Sequence, residues 1–204
     1  MNNDGNGKVR ILEIGVGAPR VRLDRWPEAD AVRVDLVPET EPDVVADPRQ
    51  LPDDLGTFDV IVTNHVLQWV PRVQVIDTLR HWVDHLEPRG ELHVIVPDLA
   101  WAADEISANR SVEKMTLGVV FGTQHAPWAY HRTGFTMDLL RTAIYAVGLA
   151  ARAARVGPYR ITSVGADGEV RELVARQLYV VGVKGDGDGE KDREWDESQP
   201  GEEG

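Results

Sequence analysis

The chain has 204 residues, 42% of them hydrophobic, and no cysteine. It can therefore bury one good core as a single domain, and it forms neither disulfides nor thiolate metal sites. No run of about eighteen apolar residues offers a membrane span, and the net charge of −12 argues against tight sequence-independent binding to nucleic acid, which depends on Lys and Arg neutralising phosphates.

Residues 1–8 are polar, with no apolar signal-peptide core, and are expected to be a flexible lead-in to a cytoplasmic protein. Residues 9–14 (VRILEI) read as a buried first strand, followed by a short helix over 20–26 that ends before Pro27. Residues 31–36 and 44–46 are short strands, joined by a Pro-rich link too brief for a full helix. The β-branched run 58–63 (FDVIVT) predicts a central strand. Over 72–87 a helix is expected, with Ile76, Leu79, Val83 and Leu86 on one stripe at 3.6-residue spacing. Pro88, Arg89 and Gly90 end it, and 91–96 (ELHVIV) makes the fifth strand. Thr136 is placed as the cap of a helix running to about Val147 and stopped by Gly148.

Residues 159–164 and 170–183 then read as two strands joined by an Asp167-Gly168 hairpin turn. The pattern predicts an α/β fold of the Rossmann-like, doubly wound kind: a mostly parallel seven-stranded sheet with an antiparallel C-terminal edge. Residues 185–204 hold nine acidic and two basic residues and almost nothing apolar. Such a segment does not offset its ordering entropy, and it is expected to be a disordered acidic tail.

The chemistry is concentrated at the ends of the first strands. In ILEIGVG, apolar residues run into Glu13, Gly15 and Gly17, and Asp35 closes the second strand 22 residues after Glu13. Glycines there let the backbone approach a ligand, and an acid there can take both hydroxyls of a ribose. A dinucleotide cradle needs a third glycine, whereas Ala18, Pro19 and Arg20 follow, and there is no phosphate-loop motif. A nucleoside without phosphates, S-adenosylmethionine rather than NAD or ATP, is the cofactor this suggests.

Together with VDLVP, DVVADPRQLP, FDVIVTNHVLQWV and LEPRGELHVIVPD, this order of segments resembles the class I S-adenosylmethionine-dependent methyltransferases over roughly residues 8–184. The short link between Asp35 and Asp47, with VFGTQHAPWAYHRTGF at 120–135, is similar to a compact branch found among genes for polysaccharide and surface-glycan assembly. The resemblance implies a methyltransferase domain over 9–184. It implies that Glu13, Gly15 and Gly17 line the methionine end of the cofactor, Asp35 holds the ribose, Asp47 accepts from the adenine amino group, and Leu51 or its neighbours cover the ring. Asn64 and His65 would sit beside the sulfonium and the methyl acceptor. His65 and His131 are the candidate bases for a hydroxyl acceptor, since histidine titrates near neutrality. No metal is implied. The partner is a small-molecule or glycan substrate, not a membrane, and the oligomeric state is left open.

The residues also have plainer readings. Asp35 and Asp47 can cap turns, and His65 can be a satisfied strand-end histidine. His81 and His85 read as solvated residues on the polar helix face rather than zinc ligands, and Trp69 and Trp82 as core. Residues 101–135 read as a substrate-covering lid, or as a structural insertion. Gln68 and Trp69 stand where related proteins have Glu and His, which removes a carboxylate near the site. Two alternative functions stay open beside methyl transfer to a hydroxyl: a catalytically inactive cofactor-binding partner subunit, and an NAD-type oxidoreductase.

Overall fold

The computed structural model describes residues 8–16, 26–109, 114–164 and 170–186. Gly17, Pro19, residues 20–25 of the helix expected over 20–26, the hairpin turn and the tail from residue 187 onward lie outside the described residues. Trp26, the last residue of that expected helix, is in irregular chain.

The seven strands are β1 (Arg10–Ile14), β2 (Asp30–Asp35), β3 (Val44–Val45), β4 (Phe58–Asn64), β5 (Leu86–Pro97), β6 (Ala150–Val164) and β7 (Val170–Val183). They form one sheet in the order β3-β2-β1-β4-β5-β7-β6. β3, β2, β1, β4 and β5 pair in parallel, and β7 joins β5 and β6 antiparallel, as expected. The middle strands are apolar on both sides because both sides are covered. Ile11, Val60 and Val62 pack with Val9, Trp26, Ala29 and Ala31 on one face. Leu12, Ile14, Ile61, Leu92 and Val94 face the main core on the other.

That main core is closed by α1 (Val75–Asp84) and α4 (Met137–Ala146). The buried stripe of α1 is Val75, Thr78, Leu79 and Trp82 rather than the expected Ile76, Leu79, Val83 and Leu86. Ile76 and Val83 remain half-buried at its margin. Trp82, fully buried, decides the rotation: its indole N–H donates to the Pro48 carbonyl at 2.7 Å while its rings fill the core. The helix also stops earlier than expected. His85 is its C-cap, and Lys184 Nζ donates to the Val83 and Leu86 carbonyls at 2.9 and 2.6 Å, so orphan acceptors of the last turn are satisfied from β7's far end. Leu86 is thereby released to start β5, opposite Phe58.

α4 follows the sequence closely: Thr136 Oγ1 accepts from the Leu139 amide, Val147 is the C-cap, and Gly148 turns away at φ 79°. β6 then begins at Ala150, nine residues before the expected start. The Ala/Arg-rich stretch favours helix locally, and continuous pairing with β7 from Val183 onward overrides that preference. Trp69 is 38% exposed, so it is not core. His85 is buried and His81 half-buried, and both rings are bonded: His81 Nε2 donates to the Leu51 carbonyl at 3.2 Å, His85 donates from Nδ1 to the Gly56 carbonyl at 2.8 Å, and the two rings meet edge-on. Both rings tie the loop between β3 and β4, adding to its own backbone bonds from Gln50 to Asp47 and from Leu55 to Pro52. No described helix is long and apolar enough to cross a membrane.

Trp82→Phe should keep the ring volume partly filled but orphan the Pro48 carbonyl. We expect a loss of about 2–3 kcal/mol, read as a melting temperature lower by roughly 4–12 °C in a chain of this size. A shift below 2 °C in calorimetry would mean that the Trp82–Pro48 bond contributes nothing.

Candidate functional site

The parallel strands β1, β2 and β4 end at one edge of the sheet, where open α/β folds bind ligands. At the end of β1, Gly15 takes φ 85°, and its amide donates to the Val34 carbonyl of β2 at 2.8 Å. A Cβ on Gly15 would lie 2.2 Å from Val66 Cγ2. This glycine therefore makes room for a side chain of the chain itself, where the sequence suggested room for a ligand. Glu13, 3% exposed, stands 3.6 Å from Arg33 Nε, its register partner on β2.

Asp35, 8% exposed, is the last residue of β2. Its Oδ2 accepts the Val16 amide at 2.7 Å and its Oδ1 the Val37 amide at 2.8 Å. The turn-capping role weighed for it is thus real, and it straps the β1 turn to the loop after β2. Each oxygen keeps lone-pair capacity beyond that one N–H. Asp47 lies just beyond β3. Both of its oxygens are held by Arg49 Nε at 3.0 and 3.1 Å, with Nη2 at 2.5 Å and the Arg49 amide at 2.9 Å. The Arg49 guanidinium therefore holds this carboxyl below its ordinary pKa. Leu51 is 4% exposed and belongs to the main core.

At the end of β4 come Asn64, half-buried, and His65, which adopts φ 55° while its amide donates to the Ile95 carbonyl of β5. The His65 ring donates from Nε2 to Gln177 Oε1 of β7 at 3.0 Å. Burial pushes its pKa down to about 4, the Gln177 bond opposing this, and a charge on nearby His131 would depress it further. His65 is neutral at pH 7 and a weak base.

His131 reaches this neighbourhood from the segment after α2 (Leu99–Asn109) and α3 (Lys114–Phe121). Asp98 caps α2, accepting the Ala100 and Trp101 amides at 3.0 and 3.2 Å. Ala102 and Val119 pack against Ala175 of β7. The His131 amide donates to Phe121, and its ring donates from Nδ1 to the Val119 carbonyl at 2.9 Å, which leaves Nε2 as the nitrogen with a lone pair. Burial lowers its pKa as well, so this ring is also neutral at pH 7.

Gln68 joins the two sides, and sequence reasoning missed how. It is 2% exposed, in a 3₁₀ turn after β4. Its side-chain amide donates to the His65 carbonyl at 2.7 Å, and its own carbonyl accepts the Arg132 and Thr133 amides at 2.8 and 3.1 Å. Thr133 Oγ1 adds a bond to the Val70 carbonyl at 2.7 Å. The bond to His65 needs a donor, which an ionised glutamate cannot supply. The lost carboxylate is thus the gain of a neutral clasp under a left-handed histidine. The departure from Glu-His at positions 68 and 69 was the visible signal. Gln177 and Arg49 carried no signal of their own.

A family model described as a methyltransferase domain matches residues 6–140. Among solved structures, a putative methyltransferase from Bacillus halodurans C-125 is 12% identical, with 88% of this chain and 94% of that one covered at a TM-score of 0.59. An S-adenosylmethionine-dependent methyltransferase from Methanosarcina mazei is 14% identical over 87% and 93%, at 0.55. The 1,6-didemethyltoxoflavin-N1-methyltransferase of Burkholderia thailandensis, solved with 1,6-didemethyltoxoflavin and S-adenosylhomocysteine, is 15% identical over 88% and 72%, at 0.54. At these identities the likeness is one of fold. No curated protein matches the sequence.

His65 also predicts a pH dependence. The unfolded chain takes up a proton near pH 6.5, whereas the folded ring resists until about pH 4. Between those values the unfolded state binds more protons, so stability is full above pH 6.5 and falls as pH drops towards 4, by about 3 kcal/mol. His65→Asn, chosen because asparagine tolerates positive φ, should flatten the melting-temperature profile in that window. An unchanged slope would show that other groups govern it.

Proposed function

The chain belongs to the methyltransferase domain family, whose fold-level relatives are S-adenosylmethionine-dependent methyltransferases, and on that premise we propose that it methylates a hydroxyl group on a small-molecule or saccharide-like acceptor. The observation that carries this reading is the clasp at Gln68, which holds a neutral lid histidine, His131, near His65 beyond the end of β4.

The residues at the strand ends fit S-adenosylmethionine. Glu13, Asp35 and Asp47 place carboxylates at the strand ends for a cationic nucleoside, Glu13 beside Arg33 and Asp47 paired with Arg49, which the ligand has to displace. Asp35 has capacity left for two ribose hydroxyls after bonding Val16 and Val37. In this reading Glu13 and Gly15 lie at the methionine end, with Gly17 next in the motif. Asp47 meets the adenine amino group beside Leu51, and Asn64 lies by the sulfonium. When bound, the cofactor supplies a methyl group already attached to a good leaving group. The protein's work is therefore to orient the acceptor in line, exclude water and accept a proton.

His131 is the stronger candidate for that proton. Its Nδ1–H is committed to Val119, so Nε2 can receive the hydroxyl proton while the imidazolium stays oriented. His65, driven to about pKa 4 and bonded to Gln177, suits a positioning role better. The segment after β4 reads Thr63, Asn64, His65, Val66, without the Asn/Asp-Pro-Pro-aromatic tetrad that serves methylation of nucleic-acid amino groups. This favours a hydroxyl, and the similarity of residues 120–135 to the surface-glycan branch favours a saccharide-like one. The lid reading of 101–135 rests on the same clasp.

Two measurements test this reading. Asp35→Ala should weaken S-adenosylhomocysteine by about 10- to 150-fold, as expected for lost hydrogen bonds to a charged group at roughly 1.5–3 kcal/mol. Unchanged affinity in calorimetry would remove the ribose assignment. His131→Ala should lower methyl transfer from labelled S-adenosylmethionine into a small-molecule extract by about 10²- to 10⁴-fold, with S-adenosylhomocysteine affinity nearly intact. A variant that lost cofactor affinity instead would put His131 on the wrong side of the site.

A further inference from the structure

Asp47 is not open to a ligand as it stands. An ionised carboxylate offers about four lone-pair sites, and Arg49 meets both oxygens twice. Oδ1 accepts from the Arg49 amide and Nε, and Oδ2 from Nε and Nη2, the last at 2.5 Å. The guanidinium is held from its other side too, where Nη1 donates to Gln74 Oε1 at 3.2 Å, just before α1. The Arg49 side chain thus bridges the loop after β3 to the start of α1, across the carboxylate assigned to adenine.

We propose that Arg49 is an internal competitor for adenine: it occupies the Asp47 carboxylate when the cofactor is absent and sets how tightly the adenine end is held. The inference rests on the reading above that Asp47 accepts the adenine amino group. An amino donor can reach Asp47 only if the guanidinium gives up at least one of its bonds. The exchange is feasible because the pair is partly solvated, with side chains 41% and 29% exposed, and ion pairs of that kind contribute little. A pair this weak can be displaced by a ligand, yet it still subtracts from the ligand's affinity.

Titration calorimetry with S-adenosylhomocysteine and with S-inosylhomocysteine, in which an oxygen replaces the amino group, distinguishes the possibilities. Arg49→Met should tighten S-adenosylhomocysteine by about two- to fivefold, the range set by a partly exposed ion pair. Arg49→Lys, limited to a single-point contact, should show a smaller gain, and it carries the test if the Met variant does not fold. S-inosylhomocysteine should gain nothing in either variant, which separates competition from a general change of charge. Weaker or unchanged S-adenosylhomocysteine binding in both variants overturns the proposal, and a weaker one would make Arg49 a positioning residue for Asp47. If the wild type binds both ligands equally and Asp47→Asn alters neither, the adenine assignment itself fails and the competition with it. A wild type that discriminates, with no gain in the Arg49 variants, sinks the competition alone.

Discussion

The Asp35 carboxylate is the joint on which the rim at the ends of β1 and β2 depends. Parallel strands deliver their loops to one edge of the sheet but do not tie those loops to each other. Asp35 does so by accepting one amide from the turn after β1 and one from the loop after β2. The Gly15–Val34 bond and the insertion of Val66 beside Gly15 complete the joint, so the ends of β1, β2 and β4 become one rigid rim. A carboxylate can do this and still present lone pairs outward, which is why one residue can serve both fold and ligand.

The region beyond β4 is built on a different principle. There, neutral groups bond one another, some within one turn and some from distant segments. Gln68 clasps His65 below and residues 132 and 133 above, while His65 reaches across to Gln177 on β7. Burying an unpaired polar group is costly, so each of these bonds helps to hold the arrangement in place. Both imidazoles stay uncharged as a consequence of the burial that positions them. The carboxylates at the ends of β2 and β3 and the neutral histidines beyond β4 are thus held by different kinds of bond.

The sheet was legible in the sequence because buried parallel strands are short apolar runs between punctuating residues, as in ILEIG and FDVIVTN. The cap and stop of α4 were equally readable, since Thr136 and Gly148 act within one turn of themselves. The rotation of α1 was not. Periodicity admits stripes one residue apart, and the indole bond to Pro48, 34 positions away, chose between them. The start of β6 was hidden for a related reason: alanines and arginines carry no strand signal, and only β7 supplied the pairing partner.

The sequence by itself determined a mostly parallel sheet with an antiparallel C-terminal edge, the acidic residues at the strand ends and the family, because each depends on local pattern or on a motif of contiguous residues. Only the tertiary structure decided that Gly15 makes room for Val66, that Asp47 is held by Arg49, that half-buried His81 and buried His85 are loop ties, and that Gln68 joins residues 132 and 133 to the turn after β4. These are matters of which donor finds which acceptor. That depends on distances between atoms that packing brings together, or on side-chain rotamers, and neither leaves a trace in composition or spacing.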